Sequence, residues 1–360
     1  MNKDRNVGLD LLKCIAMIMI VTVHYLSGGG FLNISLQKET WMIWTVSWFT
    51  ESLCYVCVNC FVLISGYYFD RMNGGISKIL SLCRQVWFYS IFIGLLLFLL
   101  NRNYLTGANI LHTFFPIATK SYWFINVYIA LFLFAPYINR IIDSMDQKQH
   151  KRLIMLLLLF FSIPQTFLTE QSWTLDTTSG YGIIWFVVLY ILAAYIRLYG
   201  LPVNWGKCGW VLAYMLCAIL VFISRIIIIY LGRIIPYLQT MDGWWYQYNN
   251  LFVLCGSVSL FMAFKDFAIK SPRICEWISF VSGSTLAVFL LHMHPVLNSR
   301  LPNGEKALWD VILQERDYHN SVFMPIHMVV SCIGVFACCI LIDSCRRKFI
   351  QKVWKRGRNK

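Results

Sequence analysis

Apolar residues gather along this chain in runs of about 20 positions, the length a helix needs to cross a bilayer, and short polar segments part them. Ten such runs stand at about 8–28, 42–69, 86–100, 122–142, 153–168, 182–199, 209–232, 247–264, 277–296 and 323–343. The third and fifth are the shortest. No long linker, low-complexity tract or loop large enough to fold alone divides them. The pattern therefore predicts an all-α, polytopic integral membrane bundle of about ten transmembrane helices. A basic start precedes the first run, as in a signal peptide, but the run is long, has no clear small-residue cleavage site and is followed by nine more, so it is read as the first span.

Composition agrees. Of 360 residues, 58% are hydrophobic and 13% charged, with a mean hydropathy of +0.61, against roughly 25% charged in a soluble domain. A formal charge of +14 raises nucleic acid as a partner. That reading is set aside, because the basic residues sit in short loops between apolar runs instead of forming a solvated patch. With the N-terminus inside, twenty-three of the 31 Lys and Arg residues fall in inner segments, seven in outer ones, and Arg225 falls within the seventh run. The positive-inside bias predicts both termini in the cytoplasm. Residues 1–345 then form the membrane domain and 346–360 a basic cytoplasmic tail. The 13 cysteines lie mostly inside apolar runs, where a thiol behaves as a small hydrophobe. Cys54, Cys57 and Cys60 have a ligand-like spacing, but positions three apart share a helical face and no second cluster accompanies them, so they read as helix packing and not as a metal site.

The first run, LDLLKCIAMIMIVTVHY at 9–25, carries Asp10, Lys13 and His24, each costly in hydrocarbon. At about 100° per residue Lys13 and His24 are nearly aligned, with Asp10 on the same stripe. At about 1.5 Å per residue the lysine lies roughly 16 Å from the histidine, toward the cytoplasmic surface. Two readings fit this face: a lysine snorkelling to the interface with a histidine bonded to a neighbouring helix, or a functional pair.

The stretch RNVGLDLLKCIAMIMIVTVHY resembles the opening of the membrane acyltransferase 3 family, in which a basic residue, ten residues and a histidine mark the first helix. The family usually has arginine where this chain has Lys13, a point charge instead of a planar fork. FVLISGYYF at 61–69, YWFINVYIALFLFAPYIN at 122–139, WFVVLYILAAYIRLYG at 185–200 and LLHMHP at 290–295 are similar to further family segments in the expected order. The resemblance implies O-acylation, most often acetylation, of a carbohydrate hydroxyl or a lipid-linked glycan precursor from cytoplasmic acyl-CoA, in a bacterial cytoplasmic membrane. Acyl-CoA is then a donor substrate, and no cofactor is expected to be held permanently.

On that reading His24 is the general base for a poorly nucleophilic sugar hydroxyl; an acyl-histidine is the variant. Lys13, Arg71 and Arg84 are the candidates for the donor's phosphates, with positive-inside anchoring as the plain alternative for the two arginines. Asp10 orients Lys13 or caps the first helix. Glu51 and Arg225, embedded in spans two and seven, either pair or face an aqueous cavity, and Arg225 is also a candidate for stabilising an oxyanion. Trp123, Asn126 and His292 are candidate acceptor contacts. Tyr122, Trp123, Trp244 and Trp245 also read as interfacial anchors in contact with membrane lipids. His292 and His294, about 200° apart on a helix, make a poor shared metal site. The competing class is a proton-coupled secondary transporter, with a sensor or anchor domain behind it; no inverted repeat is visible to favour a carrier.

Overall fold

A computed structural model of the protein describes residues 6–72, 75–100, 102, 107–168, 178–203, 205–241, 243–298 and 312–358. Among them the regular structure is helical, with no strand. In chain order the helices are α1 (Val7–Gly28), α2 (Trp41–Cys54), α3 (Cys57–Tyr67), α4 (Ile76–Leu100), α5 (Ala108–Phe114), α6 (Trp123–Asp143), α7 (Gln147–Phe161), α8 (Ile163–Phe167), α9 (Ile183–Tyr199), α10 (Gly206–Gly232), α11 (Leu251–Lys265), α12 (Pro272–Ser282), α13 (Thr285–His292), α14 (Pro295–Asn298) and α15 (Met324–Arg358).

All ten predicted runs fall on helices, yet seven segments of the described chain are long and apolar enough to cross a membrane: α1, α2 with α3, α4, α6, α10, α12 with α13, and most of α15. Helices α9 and α11 are apolar but shorter, at about 25 and 22 Å by helical rise. The fifth run departs furthest from expectation. Asp146 opens α7 with a capping box, its Oδ1 accepting from Gln149 N at 2.7 Å while Gln149 Oε1 accepts from Asp146 N at 2.9 Å, so a polar first turn enters the helix. Ser162 then ends α7, and Pro164 sits in the first turn of α8, where its missing N–H costs nothing. The second run is also divided, at Tyr55 and Val56 between α2 and α3. Cys54 therefore ends α2, while Cys57 and Cys60 stand in the first turn of α3. The basic tail continues α15 without interruption to Arg358; Lys3 and Arg5 lie outside the described residues.

The chain packs as two compact units. The first comprises Met1–Ala16, Trp48–Leu80 and Trp123–Ile269. Its centre is α9, on which Trp185, Phe186, Leu189, Tyr190, Ala193 and Ala194 are fully buried, packed by α3, α6 and α7. In lipid, helices associate through close packing and buried hydrogen bonds, since hydrocarbon gives little hydrophobic drive. Both devices are present. A Cβ placed on Gly66 of α3 would stand 2.7 Å from the Tyr190 carbonyl oxygen and 2.9 Å from the Ala193 methyl, so glycine sets the α3–α9 approach. Asn59 of α3 donates to the Tyr248 carbonyl at 2.8 Å and accepts from Trp185 Nε1 at 3.1 Å. Gly66→Ala is accordingly expected to lower stability by about 1–3 kcal/mol through overpacking, read as an earlier thermal transition in detergent. A transition unchanged from the parent's would show that α3 and α9 can separate freely.

The second unit comprises Met17–Ser47, Ser81–Tyr122 and Lys270–Lys360. In it α13 packs on α15, and α14 on α5. Asp343 of α15, fully buried, accepts from Arg346 and Arg347 one turn on and from Tyr89 of α4. Wide stripes of Leu95, Leu96, Leu99 and Leu100 on α4, and of Ile326, Val329, Val330 and Ile333 on α15, stay uncovered by protein. So do Leu212, Leu216 and Ile227 on α10 of the first unit. A polytopic chain presents such faces to lipid.

Candidate active site

Helix α1 is one continuous helix that carries both Lys13 and His24. Lys13 belongs to the first unit. Asn6 begins the helix there, its Oδ1 accepting from Leu9 N at 3.0 Å and its Nδ2 donating to the Lys265 carbonyl at 2.6 Å. A Cβ on Gly8 would clash with the Phe264 carbonyl, so the start of α1 lies tight against the end of α11. Asp10 is buried, and Lys13 Nζ stands 3.5 Å from its Oδ1 with the lysine side chain 32% exposed. The carboxylate thus holds the ammonium of a half-exposed residue one turn away.

His24 lies in the second unit. Its Nδ1 is 2.9 Å from Nε2 of His292, the last residue of α13. His292 Nδ1 is in turn 2.6 Å from the Val288 carbonyl oxygen, one turn earlier on the same helix. Among the described residues His24 Nε2 has no hydrogen-bond partner. Beside this pair, Tyr25 Oη lies 2.7 Å from His327 Nδ1, and the Tyr318 ring stacks on His327 at 3.9 Å between centroids. Tyr25 and His327 together tie the end of α1 to the start of α15 next to His24. The following glycines form a defined exit: Gly29 accepts from His319 Nε2 at 2.5 Å, and Gly30 adopts a φ of 76°.

His294 is placed apart from His292. The helix ends at His292, so the two residues do not share a helix as their spacing suggested. His294 is fully buried, its Nε2 2.9 Å from the Ser90 carbonyl and its Nδ1 accepting from Val296 N at 3.3 Å. His294 is thus packed inside the second unit and bonded to its backbone. Tyr122 is likewise 1% exposed, donating to the Leu290 carbonyl at 3.1 Å. In the first unit, Trp244 and Trp245 donate their indole N–H groups to the Gln165 and Thr166 carbonyls of α8, each at 3.0 Å.

Trp123 and Asn126 open α6 in the first unit, both half-buried. Trp123 enters an aromatic cluster that no sequence pattern revealed. Its ring is 4.7 Å from Tyr181 and 6.2 Å from Tyr248, and Tyr55 stacks on Tyr248 at 4.8 Å. Gly180 makes this approach possible: its φ is 84°, and a Cβ there would stand 2.7 Å from the Tyr248 Cβ. Arg225, 6% exposed, lays its guanidinium 4.0 Å over the Trp48 ring, an interaction suited to a cation held out of water. Glu51, 3% exposed on α2, leaves Oε2 without a hydrogen-bond partner among the described residues.

Of the remaining basic candidates, Arg71 closes a short 3-10 turn after α3. The turn is anchored by Asn139, which donates to the Phe69 and Met72 carbonyls at 2.9 and 3.2 Å, and by Tyr190, which donates to Asn139 Oδ1 at 2.8 Å. The Arg71 side chain lies outside the described residues. Arg84, in the second unit, is exposed on α4. Among the described residues no three His, Cys, Asp or Glu side chains gather as a metal site.

No curated protein and no solved structure gives a significant match to the chain. The family model for an acyltransferase domain, acyltransferase 3, matches residues 6–344. That span takes in α1 with its basic residue and histidine, the other helices long enough for the bilayer, the last of them as far as residue 344, and the pair His24 and His292, and on it the chain belongs to the acyltransferase 3 family as a multi-pass membrane acyltransferase.

Proposed function

We propose that the protein is an O-acyltransferase of the bacterial cytoplasmic membrane, with about ten spans and both termini in the cytoplasm. It moves an acyl group, acetyl as the simplest case, from cytoplasmic acyl-CoA to a hydroxyl of a cell-surface carbohydrate or its lipid-linked precursor. The observation that carries the chemistry is His24, an imidazole on an apolar helix with one ring nitrogen engaged by His292 and the other without a hydrogen-bond partner among the described residues. The acceptor hydroxyl gives its proton to His24 Nε2 as its oxygen attacks the thioester carbonyl. The C–S bond then breaks, and the imidazolium returns the proton to the departing CoA thiolate. Lys13 and Arg71 are assigned to the donor's phosphates, with Arg84 as a further cation. The aromatic cluster around Trp123 has the character of a sugar platform, and Asn126 adds an amide beside it.

Lys13→Ala is expected to weaken CoA binding by about tenfold or more, since a charge-assisted contact contributes about 1.5–3 kcal/mol. Lys13→Arg is expected to preserve it. Calorimetric titration of CoA into protein held in nanodiscs checks this; unchanged affinity in the alanine variant moves the donor site elsewhere. The function itself is tested by CoA release from acyl-CoA with a mixture of envelope glycans as acceptor. No release together with no CoA binding would favour a proton-coupled carrier, for which buried Glu51 is the acid to examine.

A further inference from the structure

The hydrogen bonds around His24 determine which of its nitrogens is the base. The Val288 carbonyl can only accept, so His292 Nδ1, 2.6 Å away, carries a proton and donates it. In a neutral ring the other nitrogen is then an acceptor. His24 Nδ1, 2.9 Å from that nitrogen, has to be the donor. This leaves the lone pair of His24 on Nε2. We infer that His292 is a positioning residue: backed by the Val288 carbonyl, it holds His24 in the Nδ1–H form and so leaves Nε2 as the base.

This rests on the proposed role of His24 in acyl transfer and adds to it. The work done elsewhere by a carboxylate behind a catalytic histidine falls here to a second imidazole. The exchange has a chemical consequence. When Nε2 takes the acceptor's proton, the group bonded to the other side of the imidazolium is a neutral ring, and the charge is met by the lone pair of His292 in a charge-assisted hydrogen bond. Since His292 acts as an acceptor, any side chain that offers an acceptor at the same place can substitute in part. The oxygen of a glutamine amide can; a leucine cannot.

The experiment is nitrogen NMR on the full-length protein in nanodiscs with 15N-labelled histidine, His24 being assigned by its loss in His24→Gln. Wild type and His292→Gln are expected to show His24 protonated at Nδ1 and bare at Nε2. His292→Leu is expected to show the Nε2–H form mixed in or dominant. In parallel, kcat for acyl transfer should fall at least about a hundredfold in His292→Leu, within the range that a misplaced tautomer costs a catalytic triad. It should fall less than about tenfold in His292→Gln, with KM for acyl-CoA unchanged in both. A wild-type His24 protonated at Nε2, an unaltered tautomer in His292→Leu, or equal kcat losses in the two variants would overturn the inference. A wild type with the expected tautomer and no turnover would instead sink the acyltransferase reading and leave the tautomer assignment standing.

Discussion

His24→Ala is expected to abolish acyl transfer, with kcat reduced by about 100- to 10,000-fold, the usual contribution of a general base. The protein should still insert and fold. The helix that carries His24 is held by Leu12, Ala16, Met17, Ile20, Tyr25 and Leu26, all buried, and none depends on the imidazole. What is lost structurally is one hydrogen bond to His292, a cost of about 1–3 kcal/mol for the acceptor left behind. His24→Gln separates the two effects, because its amide N–H can still donate to His292 while the side chain cannot take a proton. Both variants should release CoA only at background rate, and the glutamine variant should melt closer to wild type. Turnover retained in His24→Gln would end the assignment of His24 as base.

The largest expected effect on stability belongs to Asp343→Ala. Asp343 is fully buried; its Oδ1 accepts from Arg346 Nε at 2.9 Å, Arg346 Nη2 at 2.7 Å and Tyr89 Oη at 2.5 Å, and its Oδ2 accepts from Arg347 Nε at 2.6 Å. Arg347 also donates to Ser284 Oγ, so the carboxylate joins α15, α4 and the turn between α12 and α13. Removing one partner of a buried pair costs about 3–5 kcal/mol because it strands the other charge. The two arginine side chains are 17% and 28% exposed, which places the expectation at the lower end of that range. Asp343→Asn should lose less, since its remaining oxygen still accepts. Thermal unfolding of each variant in the same detergent checks the order; an alanine variant as stable as wild type would mean that the arginines find equivalent partners in water or headgroups.

Much of this was legible before any coordinates. Hydrophobic runs report local period and length, and every one of them lies on a helix. The spacing of Lys13 and His24 likewise survives as one helix, since a helical face is a local property. The spacing of Asp343, Arg346 and Arg347, three and four positions apart, is a local signal of the ion-pair cluster. Other features had no local signal. His292 meets His24 across 268 positions, and its orientation depends on α13 ending at that residue. The interruption that separates Cys54 from Cys57 follows no proline or glycine, and the aromatic cluster of Tyr55, Trp123, Tyr181 and Tyr248 draws from four separate segments. The hydrogen bonds made by Tyr122 to the Leu290 carbonyl and by Trp244 to the Gln165 carbonyl likewise join distant segments.

The interruption between α2 and α3 bears on the order of assembly. Trp41–Tyr67 is 27 residues long and apolar, and it contains no proline to force a break. A carbonyl released from a helix within hydrocarbon has no water to accept in exchange. Here the Leu53 carbonyl receives the Tyr214 hydroxyl of α10 at 2.7 Å, a donor 161 positions further along the chain. The break is therefore a property of the assembled unit and not of the segment. During synthesis the stretch precedes its partner by several helices, and the interruption is stabilised only once α10 supplies the donor.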